Sequence, residues 1–288
     1  MNFIHFIQSY SNPGLDVFFS AMTFLGDETF FILLFSLVYW CINKKFAYFM
    51  GFAFLSSGLI NTVLKEVIQV SRPIGQDNIR SLKVETAPGY SFPSGHAQMA
   101  ASYWTSLMIE VRKSWFTILG VIIILIVGIS RIYLGLHTLQ DVLGGIIFGV
   151  VWVYIANRIF SKIEKERNYK IFLWIIIPMI LGLFIFQVPN YFKVFGSFLG
   201  LISGYIIESE VINFREKEIL GKQILKYIIG IAGVLLIRTL IKTFLPEILG
   251  IDLLRYYLIV TWITVFMPYL IKKLLETGGS KEGTRWGK

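Results

Sequence analysis

Apolar residues in this chain form long blocks that are separated by short, charged loops. Most blocks hold about seventeen residues or more, the length at which an α-helix crosses a hydrocarbon core of about 30 Å. The pattern predicts an all-α, polytopic integral membrane protein, a helical bundle of about nine transmembrane spans. The predicted spans cover residues 28–42, 47–70, 95–111, 114–131, 138–160, 171–187, 192–207, 223–244 and 251–271.

The composition agrees with a membrane protein and excludes an ordinary soluble one. Of the 288 residues, 55% are hydrophobic and only 16% are charged, whereas a soluble domain has roughly 25% charged residues. The net charge of +9 comes from Lys and Arg in alternate loops. Cytoplasmic loops retain such residues, so we expect no nucleic-acid partner. The single cysteine, Cys41, cannot form an internal disulfide.

The basic loops predict how the chain is oriented in the plasma membrane. Lys and Arg cluster in one alternate set of loops, at residues 44–45, 112–113, 162–170, 215–222 and from 272 onwards. The other set contains the N-terminal segment, without Lys or Arg before Lys44, and residues 71–94, 133–137, 188–191 and 245–250. We predict an extracytoplasmic N-terminus, a cytoplasmic C-terminus and a first apolar run that is a span, not a signal peptide.

The sequence predicts three segments. Residues 1–26 contain the turn signal Asn12-Pro13-Gly14 and a short apolar stretch, and we interpret them as an interfacial segment. Residues 27–160 form a core domain built from the first five to six helices. Residues 161–288 add four transmembrane helices and a cytoplasmic tail, after a break at the charged segment 161–170.

His96 ends the segment Phe92-Pro93-Ser94-Gly95-His96 at the start of the third span. Ser94 is a favourable N-cap, and Pro93 stops any preceding helix. The free backbone N–H groups of a helix start, together with the Ser94 hydroxyl, can bind an anion at the outer surface. A simple helix cap beside a surface histidine explains this segment, taken alone, equally well.

His137 and Asp141 follow Ser130-Arg131 and stand at the start of the fifth span. Residues four apart share a helical face, so the carboxylate can hold the imidazole ring. It would also stabilise the cation formed when the other ring nitrogen attacks a phosphorus atom. Taken alone, His137 and Asp141 are better explained as an ordinary ion pair at a helix start than as a phosphate site. Arg131 favours the phosphate interpretation because a guanidinium offers two donors to phosphoryl oxygens.

Lys65 precedes Arg72-Pro73 near the outer end of the second span. An ionisable residue within a span is costly and by default indicates function. Snorkelling of the side chain to the interface is the structural alternative. The topology derived from loop charges places all three clusters at the same outer surface, which makes coincidence a poor explanation.

Together these residues closely resemble the three-part signature of the type-2 phosphatidic acid phosphatase superfamily, which reads Lys-x6-Arg-Pro, Pro-Ser-Gly-His and Ser-Arg-x5-His-x3-Asp. All three parts occur without substitution and in the family's order, within roughly residues 14–160. The resemblance implies an integral membrane lipid phosphatase that acts at the extracytoplasmic face. Because the motifs lack metal-ligand spacing, we expect catalysis without a metal or another cofactor.

The resemblance also implies a role for each signature residue. His137 is expected to be the nucleophile that forms a phosphohistidine, and Asp141 its orienting carboxylate. His96 is expected to be the general acid for the departing lipid oxygen and then to assist water. The cradle for the phosphoryl oxygens is expected to consist of Lys65, Arg72, Ser94, Gly95 and Arg131.

Alternative functions and substrates are left open by the sequence. A covalent intermediate would also serve a lipid phosphotransferase, and the extra spans would suit a lipid transporter, against which the intact histidines argue. By the family resemblance alone, undecaprenyl diphosphate is the expected substrate, ahead of phosphatidylglycerophosphate, phosphatidic acid and a sphingoid phosphate.

Arg238 and Lys242 share one face of the eighth span. They are expected either to anchor the helix or to contact a second substrate phosphate.

Overall fold

The computed structural model describes residues 2–273, and their regular secondary structure is helical throughout. The helices are α1 (Asn2–Gln8), α2 (Pro13–Met22), α3 (Glu28–Cys41), α4 (Lys44–Ile68), α5 (Gly95–Val111), α6 (Ser114–Tyr133), α7 (Leu139–Glu166), α8 (Lys170–Ile185), α9 (Pro189–Ile207), α10 (Leu220–Phe244), α11 (Leu249–Thr261) and α12 (Met267–Ile271). Short 3-10 turns occupy Thr23–Gly26 and Val84–Thr86, and π-helical turns occupy Glu208–Ile212 and Trp262–Phe266. The predicted all-α fold is confirmed.

Within the described residues, six helical stretches are long and apolar enough to cross a membrane. They are α4, α6, α7, α10, Pro189–Ile212 and Leu249–Ile271. The stretches Pro13–Gly26 and Glu28–Cys41, bent by 52° against each other, pass the same test only as a pair. Each of the nine predicted spans coincides with a helix, but α3, α5 and α8 have only 14, 17 and 16 residues. The multi-pass membrane architecture is confirmed, and the number of nine crossings stays a prediction.

The chain divides into two compact units. Unit 1 contains Met1–Ile32 and Phe52–Ile171, and unit 2 contains Leu33–Gly51 and Phe172–Lys288. Unit 1 ends just after the charged segment 161–170, where the sequence predicts a break. The division differs from the predicted one in two respects: the N-terminal segment 1–26 belongs to unit 1, and residues 33–51 group with the later helices.

In unit 1, α7 packs directly on the backbone of α5. A Cβ atom on Gly145 would lie 2.6 Å from the Ser94 carbonyl oxygen, and one on Gly149 would lie 2.6 Å from the Gln98 carbonyl oxygen. Only glycine permits backbones to approach this closely. The close approach fixes the start of α5 beside the start of α7, the two helix ends next to which His96 and the pair His137 and Asp141 lie.

The N-terminal segment packs against the rest of unit 1. Ile4 of α1 is buried in an apolar cluster with residues of α5, α6 and α7. Gln8 donates hydrogen bonds to the carbonyl oxygens of Arg80 and Tyr133, at 2.7 and 2.9 Å. The Arg80 guanidinium donates to both carboxylate oxygens of Asp16 in α2, at 2.8 and 2.6 Å. The segment therefore supports the long loop between α4 and α5 (residues 69–94), and its predicted interfacial position stays a prediction.

In unit 2, α9 and α11 pack along glycines at four-residue spacing. A Cβ atom on Gly196 would lie 2.2 Å from the Leu253 carbonyl oxygen, and Gly200 faces α11 in the same way. Small residues at this spacing let two membrane helices approach closely. Unit 2 also holds an ion pair between Lys44 and Glu208, whose N–O distance is 2.7 Å and whose carboxylate is buried.

Candidate active site

The three predicted clusters meet in unit 1. Each residue lies at a helix end or in an adjoining loop: Lys65 near the end of α4, Arg72 in the following loop, Ser94, Gly95 and His96 at the start of α5, Arg131 near the end of α6, His137 in the turn after it, and Asp141 at the start of α7. Backbone hydrogen bonds hold these segments together. The amide of Ser94 donates to the carbonyl oxygen of Asp141 at 2.9 Å, and that of Leu82 donates to the carbonyl oxygen of Leu134 at 3.0 Å.

His137 is buried, and each of its ring nitrogens faces a different kind of partner. The Nη1 atom of Arg72 lies 2.9 Å from Nε2 of His137. A guanidinium can only donate, so Nε2 accepts this hydrogen bond and keeps its lone pair. In the neutral ring the proton is then on Nδ1, on the side of Asp141. This is the tautomer with Nε2 available as the nucleophile.

The surroundings of His137 keep its ring neutral. Burial and the positive charges of Arg72, Arg131 and Lys65 together lower the pKa of His137 to about 3, although the Asp141 carboxylate opposes the shift. At neutral pH the imidazole is unprotonated, as a nucleophile must be.

Asp141 is fixed by a capping box at the start of α7. The Thr138 hydroxyl accepts the amide of Asp141, and the Asp141 carboxylate accepts the amide of Thr138 at 2.7 Å. The predicted contact with His137 is present but long, since Oδ2 of Asp141 lies 3.6 Å from Nδ1. The hydroxyl of buried Ser91 donates to the same Oδ2 at 2.7 Å and lies 3.3 Å from Nδ1. Ser91 is a site residue that the sequence reasoning missed.

Arg72 is held by the backbone of the loop between α4 and α5. Its Nε and Nη2 atoms donate to the carbonyl oxygens of Gly89 and Pro88, both at 2.8 Å. Its Nη1 atom donates to the carbonyl oxygen of Leu136 at 3.1 Å as well as to His137. Burial lowers the pKa of Arg72 to about 10, so the side chain is still positively charged at neutral pH.

Lys65 and Arg131 are the other two cations of the predicted cradle, and both are buried. The Lys65 ammonium group donates to the carbonyl oxygens of Tyr90 and Ser91, the latter at 3.2 Å. Arg131 donates to the hydroxyls of Thr23 and Thr86, at 2.9 and 3.0 Å. The Nε atom of Arg131 is buried and has no hydrogen-bond partner within residues 2–273. Neither threonine was a candidate from the sequence.

The start of α5 provides polar groups that are not used for capping. Ser94 occupies the N-cap position, but its side chain makes no capping hydrogen bond, contrary to the usual behaviour of such a serine. Its hydroxyl is buried and has no partner among the described residues. With the backbone N–H groups of the first turn, including that of Gly95, this hydroxyl can receive an anion.

His96 lies in the first turn of α5 and interacts electrostatically with Arg131 and His137. Its Nε2 atom is 3.9 Å from Oδ2 of Asp27. Asp27 also accepts the amide of Thr29 at 2.8 Å, so it caps α3. The sequence analysis overlooked Asp27, although an aspartate directly before an apolar helix is a recognisable cap.

Arg238 and Lys242 lie on α10 in unit 2, and both are exposed. Anchoring at an interface and contact with a substrate phosphate both stay predictions.

The arrangement in unit 1 is suited to an anion with several oxygens. Among the described residues, three cations, a buried hydroxyl without a partner and a helix start surround a histidine whose Nε2 is unprotonated and accepts a hydrogen bond from Arg72. Such fixed donors can stabilise charge that develops on a phosphoryl group. Within residues 2–273, no group of three or more His, Cys, Asp or Glu side chains is placed to hold a metal ion. Metal-free catalysis stays a prediction.

Two family models match the chain. The PAP2 superfamily model matches residues 46–165, which include every predicted catalytic residue. The transmembrane extension of PAP2 superfamily phosphatases matches residues 192–279 and thus covers the later helices.

Several curated proteins are similar to parts of the chain. Phosphatidylglycerophosphatase B of Bacillus subtilis is 31% identical over 170 residues, which are 54% of this chain and 80% of that protein. Sphingosine-1-phosphate phosphatase 1 of Mus musculus is 26% identical over 262 residues, 81% of this chain and 61% of that protein. The undecaprenyl-diphosphatase of Sulfolobus acidocaldarius is 30% identical over 128 residues, 43% of this chain and 62% of that protein. The chain thus spans about three fifths of the last two relatives.

A comparison with solved structures finds the crystal structure of LpxE from Aquifex aeolicus. It shares 23% sequence identity with the chain at a TM-score of 0.49, covering 55% of this chain and 93% of that one.

The helical membrane fold and the cationic site around His137 define an integral membrane phosphatase. The chain belongs to the PAP2 superfamily, since the two family models cover both the site and the later helices. The match to the Bacillus relative over 80% of that protein supports the same assignment.

Proposed function

We propose that this membrane lipid phosphatase hydrolyses a lipid phosphate or lipid diphosphate through a phosphohistidine on His137, at the extracytoplasmic face of the plasma membrane. The observation that carries the proposal is the state of the His137 ring. Nε2 accepts a hydrogen bond from Arg72 at 2.9 Å, while Nδ1 faces Asp141 and Ser91. A buried, neutral imidazole in this tautomer, surrounded by cations, is prepared for attack on an electron-poor phosphorus atom.

In the first step, Nε2 of His137 attacks phosphorus, and the bond from phosphorus to the lipid oxygen breaks. The leaving oxygen takes a proton from protonated His96, which leaves His96 neutral. The imidazole of His137 becomes positively charged, and the carboxylate of Asp141 on its Nδ1 side stabilises that charge.

In the second step, water attacks the phosphohistidine and the phosphorus–nitrogen bond breaks. Neutral His96 accepts a proton from the water, so that inorganic phosphate leaves and both histidines return to their first state. Asp27, whose Oδ2 lies 3.9 Å from Nε2 of His96, is proposed to orient this imidazole.

The phosphoryl oxygens are proposed to lie among the polar groups that the fold leaves available. Arg72 contributes a guanidinium that is already next to Nε2. The unpartnered Nε atom of Arg131 and the unpartnered hydroxyl of Ser94 are both buried, and a buried polar atom gains from a partner. Lys65 and the amide of Gly95 complete the proposed cradle.

The proposed substrate is undecaprenyl diphosphate, with phosphatidylglycerophosphate, phosphatidic acid and a sphingoid phosphate as the alternatives. The resemblance to undecaprenyl-diphosphatase supports the first choice. The similarity to phosphatidylglycerophosphatase B supports phosphatidylglycerophosphate as an alternative, and the similarity to sphingosine-1-phosphate phosphatase 1 supports a sphingoid phosphate. All four have a lipid anchor that would keep the headgroup at the membrane surface.

The test compares purified wild type with His137→Ala and His96→Ala on this panel of lipids, with release of inorganic phosphate as the readout. We expect phosphate release from wild type, an acid-labile phosphoryl group that can be trapped on it, and neither with His137→Ala. His96→Ala should be nearly as damaging for a poor leaving group. Turnover by His137→Ala above a trace would refute the proposed nucleophile. Transfer of the phosphoryl group to a second lipid without free phosphate would identify a phosphotransferase.

A further inference from the structure

Ser91 contacts both members of the proposed catalytic pair, although it lies outside the three signature motifs. It is fully buried in the loop between α4 and α5, residues 69–94. Its hydroxyl donates to Oδ2 of Asp141 at 2.7 Å and lies 3.3 Å from Nδ1 of His137. A hydroxyl has one proton to donate and two lone pairs with which to accept. Ser91 can therefore donate to the carboxylate and accept the ring N–H at the same time.

The direct contact between the catalytic pair is weaker than the path through Ser91. Nδ1 of His137 lies 3.6 Å from Oδ2 of Asp141 but 3.3 Å from Oγ of Ser91, so the contact with the serine is the closer of the two to the 2.7–3.2 Å range of an N–H···O hydrogen bond. Arg72 donates to Nε2, so the ring proton is on Nδ1 and points to the side of Ser91 and Asp141. The Ser91 hydroxyl is the nearer of the two acceptors.

The backbone of Ser91 is held on both sides. Its amide donates to the carbonyl oxygen of Val70 at 2.7 Å. Its own carbonyl oxygen accepts a hydrogen bond from Lys65 at 3.2 Å. The position of the hydroxyl is thus set by main-chain contacts, which a change to alanine leaves in place.

We propose that Ser91 is a positioning residue that joins Asp141 to Nδ1 of His137, so that the carboxylate acts on the ring through the serine hydroxyl. In this chain of hydrogen bonds, Nδ1–H donates to Oγ of Ser91 and Oγ–H donates to Oδ2 of Asp141. These two hydrogen bonds fix the imidazole with Nε2 towards the phosphorus atom. Through them the negative charge of Asp141 stabilises the imidazolium that forms when Nε2 attacks.

A spectroscopic test addresses the ring directly. The chain has only three histidines, so protein labelled with ¹⁵N-histidine and purified without a histidine tag gives few ring signals, and the signal lost in His137→Ala is that of His137. We expect a protonated Nδ1 in wild type, and a changed Nδ1–H shift with at least tenfold faster proton exchange in Ser91→Ala. The matched control is Ser81→Ala, which removes another hydroxyl of the same loop, bonded to the Gly135 carbonyl oxygen at 3.3 Å. It should leave the signal unchanged.

A kinetic test addresses the consequence for turnover and rests on the proposed function. Removing a hydrogen bond to a group that becomes charged should lower kcat of Ser91→Ala by about 10- to 100-fold. KM should change little, because Ser91 is proposed to act through His137 and not on the substrate. Ser81→Ala should retain the wild-type kcat, and thermal unfolding of both variants should match wild type.

The two tests separate the possible failures. A wild-type ring protonated at Nε2, or an unchanged Nδ1–H signal in Ser91→Ala, would overturn the role of Ser91 whatever the activity. If the phosphohistidine cannot be trapped but the signal responds to Ser91→Ala, the positioning role holds and the proposed function fails.

Discussion

Arg72→Lys is the most informative single change in the site because it keeps the positive charge and removes the planar arrangement of hydrogen-bond donors. The Arg72 guanidinium contacts Nε2 of His137 at 2.9 Å and three carbonyl oxygens of the surrounding loops at 2.8, 2.8 and 3.1 Å. A lysine ammonium group is a compact charge on a flexible stem and cannot reproduce this planar set of donors.

The expected loss follows from the number of donors at the reacting atoms. Removing one fixed donor that faces developing charge costs about 2.7–4 kcal/mol, or a factor of roughly 10²–10³ in kcat. The retained charge of lysine recovers part of the electrostatic attraction. We therefore expect kcat of Arg72→Lys to fall by about 100-fold and that of Arg72→Ala by about 1,000-fold or more.

The assay is initial-rate release of inorganic phosphate from a lipid phosphate in detergent micelles, with thermal unfolding measured on the same samples. Arg80→Lys is the matched control, since Arg80 stands in the same loop and pairs with Asp16 at 2.6 Å, but its side chain is 40% exposed. An exposed pair contributes only about 0–1 kcal/mol. A variant Arg72→Lys that keeps activity within about threefold of wild type, the range expected of the control, would refute the reasoning.

Four further predictions concern pH, metal dependence, topology and the later helices. The rate should fall on both sides of an optimum pH, because the nucleophile and the general acid need opposite protonation states. The decrease on the acid side, caused by protonation of His137 in the free enzyme, should lie far below pH 6.5, since its surroundings lower its pKa to about 3. A profile of kcat/KM against pH measures both decreases. Activity should survive a strong chelator and be inhibited by vanadate, and loss that magnesium or zinc restores would contradict this. In intact cells expressing a cysteine-free background, an impermeant thiol label should reach a cysteine at Gln76 but not one at Lys165, both of which are exposed in the structure; the reverse would invert the topology. Arg238→Ala should impair hydrolysis of a diphosphate much more than that of a monophosphate if Arg238 contacts the second phosphate, and equal losses in the two specificity constants would end that idea.

The sequence predicts the helical fold well because apolar periodicity and length are local properties. Every predicted span coincides with a helix. The number of membrane crossings is harder to predict from the sequence, since α3, α5 and α8 are shorter than a standard span. Length alone does not decide whether these helices cross the membrane. The grouping of residues 33–51 with the later helices depends on tertiary contacts that no local pattern contains.

The site is predictable where its residues keep a fixed spacing. Lys65 with Arg72, and His137 with Asp141, are recognisable because each pair is set by a helix end or a short turn. Ser91 is different, since it reaches the pair only through the fold of a long loop. The hydroxyls that hold Arg131 come from such irregular segments as well.

The N-terminal helices have a consequence for how the protein can be divided. The PAP2 superfamily match begins at residue 46, yet Arg131 is held by Thr23 and His96 lies beside Asp27. A fragment cut to the matched range would keep every signature residue and lose these supports. Chimeras between this chain and its relatives should therefore exchange residues 2–32 together with the loop between α4 and α5, because the two segments form one exchangeable part.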